Sequence, residues 1–306
     1  MTMFEGILLT IVTAATPLLF VAIGELVSER AGVLNLGVEG MMAVGAVCGF
    51  AIAHLSGSPI LGIFAAILGG MVMASLFAVV TLIFVANQVA SGLALTLFGL
   101  GLSALIGDAF VGIPGIGLPK IDIPGLSDIP VIGSLVFGLD PLTYLAVAIT
   151  IAVSWFLFRT RGGLILRSVG DNHVSAHALG YGVVRVRFMA VLFGGACAGL
   201  GGAYLSLVYT PQWTQNMTAG RGWIALALVV FASWLPYRVM IGAVLFGGIS
   251  ILQLHAQGFN VPIPSQFLTM LPYLTTVIVL VLISRNRTLL RINTPACLGQ
   301  PFVPDR

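Results

Sequence analysis

Lysine is almost absent from this chain of 306 residues, and the one present is Lys120. A phosphate-binding loop of the GxxxxGK[ST] type needs a lysine after a glycine, whereas Pro119 precedes Lys120. The chain therefore cannot bind ATP through such a loop. GxSxG, HExxH and GxGxxG patterns are also missing, so the sequence favours a protein that catalyses nothing itself.

Charged residues are scarce too, at 8%, while 58% of the chain is hydrophobic and the mean hydropathy is +1.10. So little polar surface cannot cover a soluble globule. The composition predicts an all-α, polytopic membrane protein, with residues 1–306 forming a single transmembrane domain in the lipid bilayer. Because the basic residues cluster beside apolar runs, the net charge of +3 indicates membrane topology, and no nucleic acid partner is expected.

Cysteine and histidine form no recognisable site. Cys48, Cys197 and Cys297 are odd in number and contain no CxxC, so neither a disulfide framework nor zinc spacing is present. His173 and His177 are four residues apart but lack a third ligand, and two polar residues on a solvated helix are the favoured interpretation. We expect no metal and no bound cofactor.

Long apolar runs predict about nine transmembrane helices, since a span needs about 20 apolar residues, or fewer where protein shields it. The predicted spans are 4–23, 37–55, 60–85, 91–107, 141–158, 188–208, 222–235, 239–256 and 267–284. The odd number places the two termini on opposite sides of the membrane.

The stretch 159–187 fixes the orientation, because five of the thirteen basic residues lie in it and arginine-rich loops stay in the cytoplasm. With 159–187 inside, the inner segments hold eleven basic residues and the outer ones hold only Lys120 and Arg221. The opposite orientation would reverse that distribution. The sequence therefore predicts an external N-terminus and a cytoplasmic tail, 285–306.

The longest outer segment, 108–140, carries four aspartates and repeated proline and glycine. Proline disfavours helix, so an ordered external loop is predicted, with at most a short helix. A surface for a partner and a simple capping loop remain equally open for this segment.

The first polar island, 24–42, places five polar side chains between two predicted spans: Glu25, Glu29, Arg30, Asn35 and Glu39. Its glycines interrupt helix, and irregular backbone at membrane depth needs protein or a water-filled path around it. Ionisable groups in such a place are functional candidates. The alternative, a cytoplasmic turn in which Glu29 pairs with Arg30 in solvent, also remains open.

The second polar island, 209–223, combines three aromatic residues with four hydrogen-bonding ones. The aromatic residues alone could form an interfacial belt. The span that follows, 222–235, is short and interrupted by glycine, which is typical of a half-helix lining a transport path. Asn35 and Asn216 each precede paired glycines in halves of opposite orientation, which hints at an inverted repeat.

The loop 159–187 contains a candidate cytoplasmic helix. Asp171 or Asn172 can cap its start and Gly180 can close it after Leu179. Its flanking arginines could rest on anionic headgroups. A docking helix is the sharper alternative, because a lipid anchor does not require a capped module.

Four blocks of the sequence are distinctive: GELVSERAGVLNLGVEGMM (24–42), LRSVGDNHVSAHALGYGVVRVRFMAVLFGGACAGLGGAYLSL (166–207), QNMTAGRGWIALALVVFASW (215–234) and MLPYLTTVIVLVL (270–282). Through them the chain resembles the membrane subunits of bacterial ABC importers in the branched-chain amino acid and ribose permease superfamily, and most of all the simple-sugar and nucleoside permeases. Two positions depart from the family pattern: His173 replaces a usual proline, and LPYRV (235–239) replaces a glycine-rich turn.

The resemblance implies a role for two groups of residues. Those of the coupling helix that docks on an ATPase subunit are Gly170, Asp171, Asn172, Ala176 and Gly180, and we expect Ala176 to face that partner. Those of the translocation path are Asn35, Gly37, Glu39, Gly40, Asn216, Gly220 and Gly222.

The resemblance also implies an importer of a nucleoside or simple sugar in the bacterial cytoplasmic membrane. Its expected partners are an ATPase subunit that binds the ATP, a second homologous permease subunit and an extracytoplasmic substrate-binding protein. A branched-chain amino acid permease is the alternative within the superfamily. A secondary transporter or channel is the alternative outside it, and would normally need a proton- or sodium-binding acid within a span.

Overall fold

The computed structural model describes residues 3–119, 121, 133, 137–258, 264–284 and 293–303. Its helices are α1 (Met3–Arg30), α2 (Val38–Ser56), α3 (Pro59–Ala78), α4 (Gln88–Gly107), α5 (Pro141–Arg159), α6 (Arg161–Asp171), α7 (His173–Ala178), α8 (Val183–Tyr204), α9 (Arg221–Phe231), α10 (Pro236–Gly258), α11 (Ser265–Thr269) and α12 (Leu271–Ser284). One π-helical turn extends α3 through Ile83 and another extends α8 through Tyr209.

Within the described residues, α1 to α5, α8 and α10 are long and apolar enough to cross a membrane. Each of the nine predicted spans overlaps an apolar helix, and the all-α polytopic fold is confirmed. Two of those helices fall short of a full span. α9 has 11 residues, or about 16 Å at 1.5 Å per residue, against about 30 Å of hydrocarbon.

Polar caps set the starts of four helices. The side chains of Asn87, Asp140, Thr160 and Asn172 each accept a hydrogen bond from a backbone N–H in the first turn of α4, α5, α6 and α7. Such residues satisfy N–H groups that have no partner inside the helix. Of these starts the sequence predicted those of α5 and α7, placed that of α4 at residue 91 and did not predict α6.

Two predicted boundaries are wrong by five residues or more. α1 continues to Arg30 rather than ending at residue 23, so Glu25 and Glu29 lie on a helix and not in a loop. α8 begins at Val183 rather than at residue 188, which places Arg187 inside it. In both cases charged residues resemble a loop by hydropathy, although their side chains are buried in the protein.

The centre of the molecule is a close-packed group of α1, α2, α3 and α8. Glycines at helical spacing make the close approach possible, because a Cβ at Gly45 of α2 would run into the backbone of Gly199 on α8. Gly195, one turn earlier on α8, likewise meets Gly70 of α3. Small residues at such crossings are typical of helices packed within a membrane.

The helix contacts also pair the two halves of the chain. α1 packs on α8 and α10, while α8 packs on α1 and α3; α2 contacts α4, and α9 contacts α12. If α1 is exchanged with α8, α2 with α9, α3 with α10 and α4 with α12, the contact of α1 with α10 becomes that of α8 with α3. The contact of α2 with α4 likewise becomes that of α9 with α12. This pattern agrees with the inverted repeat suggested by the sequence.

Residues 120, 122–132 and 134–136 of the predicted external loop, 108–140, lie outside the described residues. The loop begins with a short 3-10 helix, Asp108–Phe110, and 111–119 then run beside 207–213, with Gly115 N donating to Pro211 O at 3.0 Å and Leu118 N to Leu207 O at 3.0 Å. The start of this loop therefore covers the second polar island.

Candidate functional site

The predicted cytoplasmic helix is present as α7. The Asn172 side chain accepts from Ser175 N at 2.9 Å, and Gly180 follows the helix with φ +87°, a left-handed conformation that favours glycine. Gly170 and Asp171 do not belong to it, because they end the separate helix α6. The candidate coupling module is thus two helices joined at Asn172.

The side chains of α7 do not face as expected. Ala176 is 2% exposed and packs with Val169 and Val183 of the same chain, so the expectation that it faces a partner is wrong. The exposed side carries Val174, at 63%, and Leu179, at 77%. Apolar side chains gathered on a loop surface are typical of an interaction site.

A segment of the tail holds α6 against the inner end of α1. Cys297 N donates to Gly170 O at 2.8 Å, and Gly299 N donates to Gly32 O at 3.1 Å. A Cβ on Gly170 would collide with the carbonyl of Arg30, so only glycine permits this approach. The sequence predicted the tail merely as a cytoplasmic segment.

The same segment also contacts α7 and α8. The Phe302 ring lies edge-on to the rings of His173 and His177, with centroids 5.3 Å apart in both pairs. Arg187 of α8 donates through Nη1 to Gln300 O at 2.9 Å. Residues 295–303, called the tail clasp below, therefore join four helices, α1, α6, α7 and α8.

Arg187 is fully buried and fixes the protonation state and tautomer of His173. Its Nε donates to Ala31 O at 3.1 Å, and its Nη2 lies 3.2 Å from His173 Nδ1. Arginine has only donors, so Nδ1 must accept and the imidazole is neutral with its proton on Nε2. Burial, and secondly the Arg187 charge, lower the pKa of His173 below its usual 6.5.

Glu39 joins the two polar islands. Its carboxylate accepts hydrogen bonds from Gly220 N at 2.8 Å and from Gly222 N at 2.6 Å. These N–H groups belong to the first turn of α9, where a helix has unpaired donors and a partial positive charge. Three of the predicted path residues thus form one contact between the halves of the molecule.

The other predicted path residues do not join this contact. Asn35 is completely buried; its backbone N donates to Glu25 Oε1 at 3.1 Å, and its side chain accepts from Gly37 N at 3.0 Å. Gly37 and Gly40 pack tightly on α4, and Asn216 is exposed in the turn before α9 with φ +60°. Within this chain, then, Asn35, Gly37 and Gly40 line no open space.

The inner end of α1 has a second buried polar contact that the sequence did not reveal. Trp234 donates its indole N–H to Glu29, and Arg30 donates to Trp234 O at 3.0 Å. Glu29 is 1% and Arg30 6% exposed, so the proposed solvated pair is wrong. Ser233 and Trp234, just before LPYRV (235–239), have φ of +50° and +55°, in the left-handed region that favours glycine.

Within the described part of the chain, no group of three or more His, Cys, Asp or Glu side chains could hold a metal ion. The polar groups above serve contacts between helices. What the geometry offers is a set of packed helices, a half-helix held at its start, and exposed apolar side chains beside α7. That arrangement fits movement of a solute rather than chemical reaction.

Comparison with known proteins decides the family. The model of the family described as "Branched-chain amino acid transport system / permease component" matches residues 7–283. The chain belongs to this permease family. The resemblance seen in the sequence is therefore confirmed, and the chain is a multi-pass permease subunit of an ABC importer, not an enzyme.

Three relatives cover most of the permease. The provisionally named glucose ABC transporter permease protein TsgC13 of Haloferax volcanii is 40% identical over 99% of this chain and 98% of its own length. The nucleoside ABC transporter permease protein NupC of Lactococcus lactis is 37% identical over 88% and 89%. The guanosine ABC transporter permease protein NupQ of Bacillus subtilis is 33% identical over 95% and 94%.

One solved structure shares the fold of the permease. It is a provisionally assigned metal-chelate type ABC transporter in an inward-facing conformation, with a TM-score of 0.53 and 15% identity, covering 90% of this chain and 84% of that one. As an ABC permease, the chain works in general with an ATPase and a binding protein.

Proposed function

We propose that this permease imports a neutral, hydroxyl-rich solute, a nucleoside or a simple sugar, into the cell. The observation that carries the proposal is the near full-length similarity to permeases named for glucose, nucleosides and guanosine. A chain with 8% charged residues suits such a cargo, because a charged solute would need compensating charges in a low-dielectric path.

The proposed assembly contains a second, homologous permease subunit, so that this chain forms half of the pore. ATP binding closes the ATPases, and their movement reaches the membrane through the loop 159–187. Gly170, Asp171, Asn172, Ala176 and Gly180 shape this coupling module, while Val174 and Leu179 provide the surface that touches the ATPase. Support comes from the exposure of these two apolar side chains.

The tail clasp connects the coupling module mechanically to the membrane-spanning helices. It connects α6 and α7 to the inner ends of α1 and α8, and these two helices cross in the centre of the molecule. Movement at α7 is thereby passed to the packed core, which rocks to open the pore alternately to each side. The N-terminus is proposed to lie outside and the C-terminus in the cytoplasm.

The residues predicted for the path receive different roles in this proposal. Glu39, Gly220 and Gly222 hold the start of the half-helix α9. Gly37 and Gly40 let the start of α2, which carries Glu39, pack on α4, and Asn35 fixes the turn before it. Asn216 lies at the outer surface, where solute would enter.

A secondary transporter is the second candidate, and one observation favours it. Glu25 is buried and its Oε2 has no hydrogen-bond partner in the described part of the chain. However, Glu25 lies within about 8 Å of the inner end of α1 at 1.5 Å per residue, not deep in the span. A proton-driven carrier would stop when an ionophore collapses the proton gradient, even with ATP present.

Uptake by cells with and without this gene tests the proposed cargo. The panel contains radiolabelled ribose, glucose, uridine, guanosine and leucine. We expect gene-dependent accumulation of at least one sugar or nucleoside and none of leucine. Accumulation of leucine alone would replace the proposal by the branched-chain amino acid alternative.

A further inference from the structure

A cavity of about 220 Å³ lies between α1, α9, α10 and α12. Its wall combines apolar residues with polar and aromatic side chains, four of which matter here: Tyr209, Arg221, Gln253 and Tyr273. These come from the end of the α8 π turn, the start of α9, the last turns of α10 and the first turn of α12. In the proposed topology all four lie in the outer half of the membrane.

The polar groups of this cavity are held in place by their neighbours and still have hydrogen-bonding capacity for a ligand. The Arg221 guanidinium lies 5.1 Å from the centroid of the Tyr209 ring, and its Nη1 donates to Met217 O at 3.0 Å. Tyr273 Oη donates to Ala219 O at 3.1 Å. No carboxylate pairs with Arg221 in the described part of the chain, so its other N–H groups can serve a ligand.

Gln253 supplies the recognition chemistry that the cavity would otherwise lack. It is half-buried on α10 and lines the cavity, and its side chain makes no hydrogen bond within the described residues. A glutamine amide both donates and accepts, which is what a ring hydroxyl or a heterocyclic edge requires. A few placed polar groups beside aromatic faces are typical of small-molecule sites.

We propose that this cavity is the site where the permease receives one ring of its substrate after release from the binding protein. The inference rests on the proposed function and names the residues that bind the substrate. Ligand pockets usually measure about 300–1,000 Å³, so the cavity suits a single sugar or base rather than a whole larger solute. The ring stacks on Tyr209 or Tyr273, and its hydroxyl or amide groups bond to Gln253 and Arg221.

Glu39 gives this site its rigidity. By accepting from Gly220 N and Gly222 N it fixes the first turn of α9, which carries Arg221. The opposite wall is formed by α10 and α12, which pack on each other and on α9. A rocking of α10 with α1 would change the width of the cavity, and so would release the ring toward the inside.

The test compares two substrates delivered by the same binding protein, because the affinity of that protein dominates the half-saturation constant. Full complexes of the wild type and of Gln253→Leu, Tyr273→Leu and Tyr273→Phe are reconstituted with saturating loaded binding protein. The readout is the ratio of maximal uptake rates for two labelled substrates, chosen as a pair that differs in hydroxyl groups. Gln257→Leu is the matched control, one turn further along α10, exposed and outside the cavity.

We expect Gln253→Leu and Tyr273→Leu to change the ratio at least about fivefold, with Tyr273→Phe and Gln257→Leu within about twofold of the wild type. Amounts of permease and bound ATPase should stay constant. Equal slowing of both substrates, or no effect, would contradict the proposed binding site and would leave the proposed function unaffected. If the wild-type complex transports neither sugars nor nucleosides, the proposed function itself fails.

Discussion

Glu39 is the residue on which the contact between the two halves depends. Replacing it by glutamine puts an amide N–H₂ against one of the two backbone donors, Gly220 N or Gly222 N. A buried donor left without an acceptor costs about 1–3 kcal/mol. We expect Glu39→Gln to lower the aggregation temperature of the detergent-solubilised chain. An unchanged aggregation temperature would show that the contact contributes nothing.

His173 predicts a pH dependence on the cytoplasmic side. Its pKa in the folded chain lies below the usual 6.5, so the folded state favours neutral imidazole. The stability it contributes is complete above pH 6.5 and is lost as the pH falls through that value, because the unfolded chain then binds the proton more readily. The measurement is the aggregation temperature between pH 8 and pH 5.5.

The matched variant for this effect is His173→Asn, whose side-chain oxygen can still accept from Arg187 but does not titrate. We expect the wild type to lose more stability than His173→Asn on acidification. Identical pH profiles for the two proteins would mean that His173 is protonated, or solvated, in the folded state.

Leu179 lies on the exposed face of the coupling module and Ala176 on its buried face, so variants of the two residues test different roles. Leu179→Glu alters an exposed side chain, so it should leave the amount of permease unchanged while weakening co-purification of the ATPase. Ala176→Glu buries a charge inside this chain, at a cost of about 2 kcal/mol or more, and should lower the stability of the permease itself. If Leu179→Glu retains the ATPase and full uptake, the partner surface lies elsewhere.

The orientation of α7 could not be predicted from its residues. A helix of six residues gives too few turns for hydrophobic periodicity to select a face. Its buried side is decided by Phe302 and Val183, and Phe302 lies more than a hundred positions away in sequence. The capping residues Asn172 and Gly180, by contrast, act locally, and for that reason the sequence located the helix itself well.

At the scale of single elements, Gly180 is needed for its conformation alone. Its φ is +87°, and a Cβ there would meet nothing within 4 Å, so Gly180→Val introduces backbone strain of about 1–2 kcal/mol without a clash. We expect normal insertion but reduced uptake, because the end of α7 changes direction. Labelled substrate accumulation and membrane abundance are measured together.

Gly57 provides the control for this prediction. It has φ +71°, also has open space at its Cβ, and ends α2 on the opposite side of the membrane in the proposed topology. Gly57→Val therefore carries similar strain away from the coupling module and should transport normally. Equal loss of uptake in both variants would indicate general destabilisation rather than a defect in coupling.

The tail clasp is expected to matter for transport although no motif marks it. Phe302→Ala removes the ring that packs on His173 and His177, which should loosen α7 without touching a span. We expect the ATP hydrolysis of the full complex to respond less to loaded binding protein. Val303→Ala, at an exposed side chain, is the control; the same response in Phe302→Ala and wild type would leave the clasp without a role in coupling.

Helix boundaries were predictable where caps are local and wrong where burial depends on distant residues. The apolar run after Asp140 gave the start of α5, and the start of α7 was predicted at Asp171 or Asn172, whereas α6 was not predicted as a separate helix. α1 was cut short because Glu29 and Arg30 resemble solvent-exposed residues. Their partner Trp234 lies about two hundred residues later, and hydropathy contains no information about such pairing.

At the scale of the whole molecule, the apolar composition was enough to predict a polytopic helical membrane protein, and the resemblance to ABC permeases predicted its function. Two similar polar islands in predicted spans of opposite direction suggested an inverted repeat, with which the helix contacts agree. The Glu39 contact and the cavity beside α9 could not be predicted, because each joins segments far apart in sequence. Only the packing of α1, α2, α9, α10 and α12 brings them together.

The most direct measurement is uptake by proteoliposomes that contain the permease with its ATPase and binding protein, with and without internal ATP. We predict accumulation of a labelled sugar or nucleoside that requires ATP and all the subunits, and that continues when an ionophore removes the proton gradient. Transport by the permease alone, driven by a proton gradient and indifferent to ATP, would contradict the assignment as an ATP-driven importer subunit.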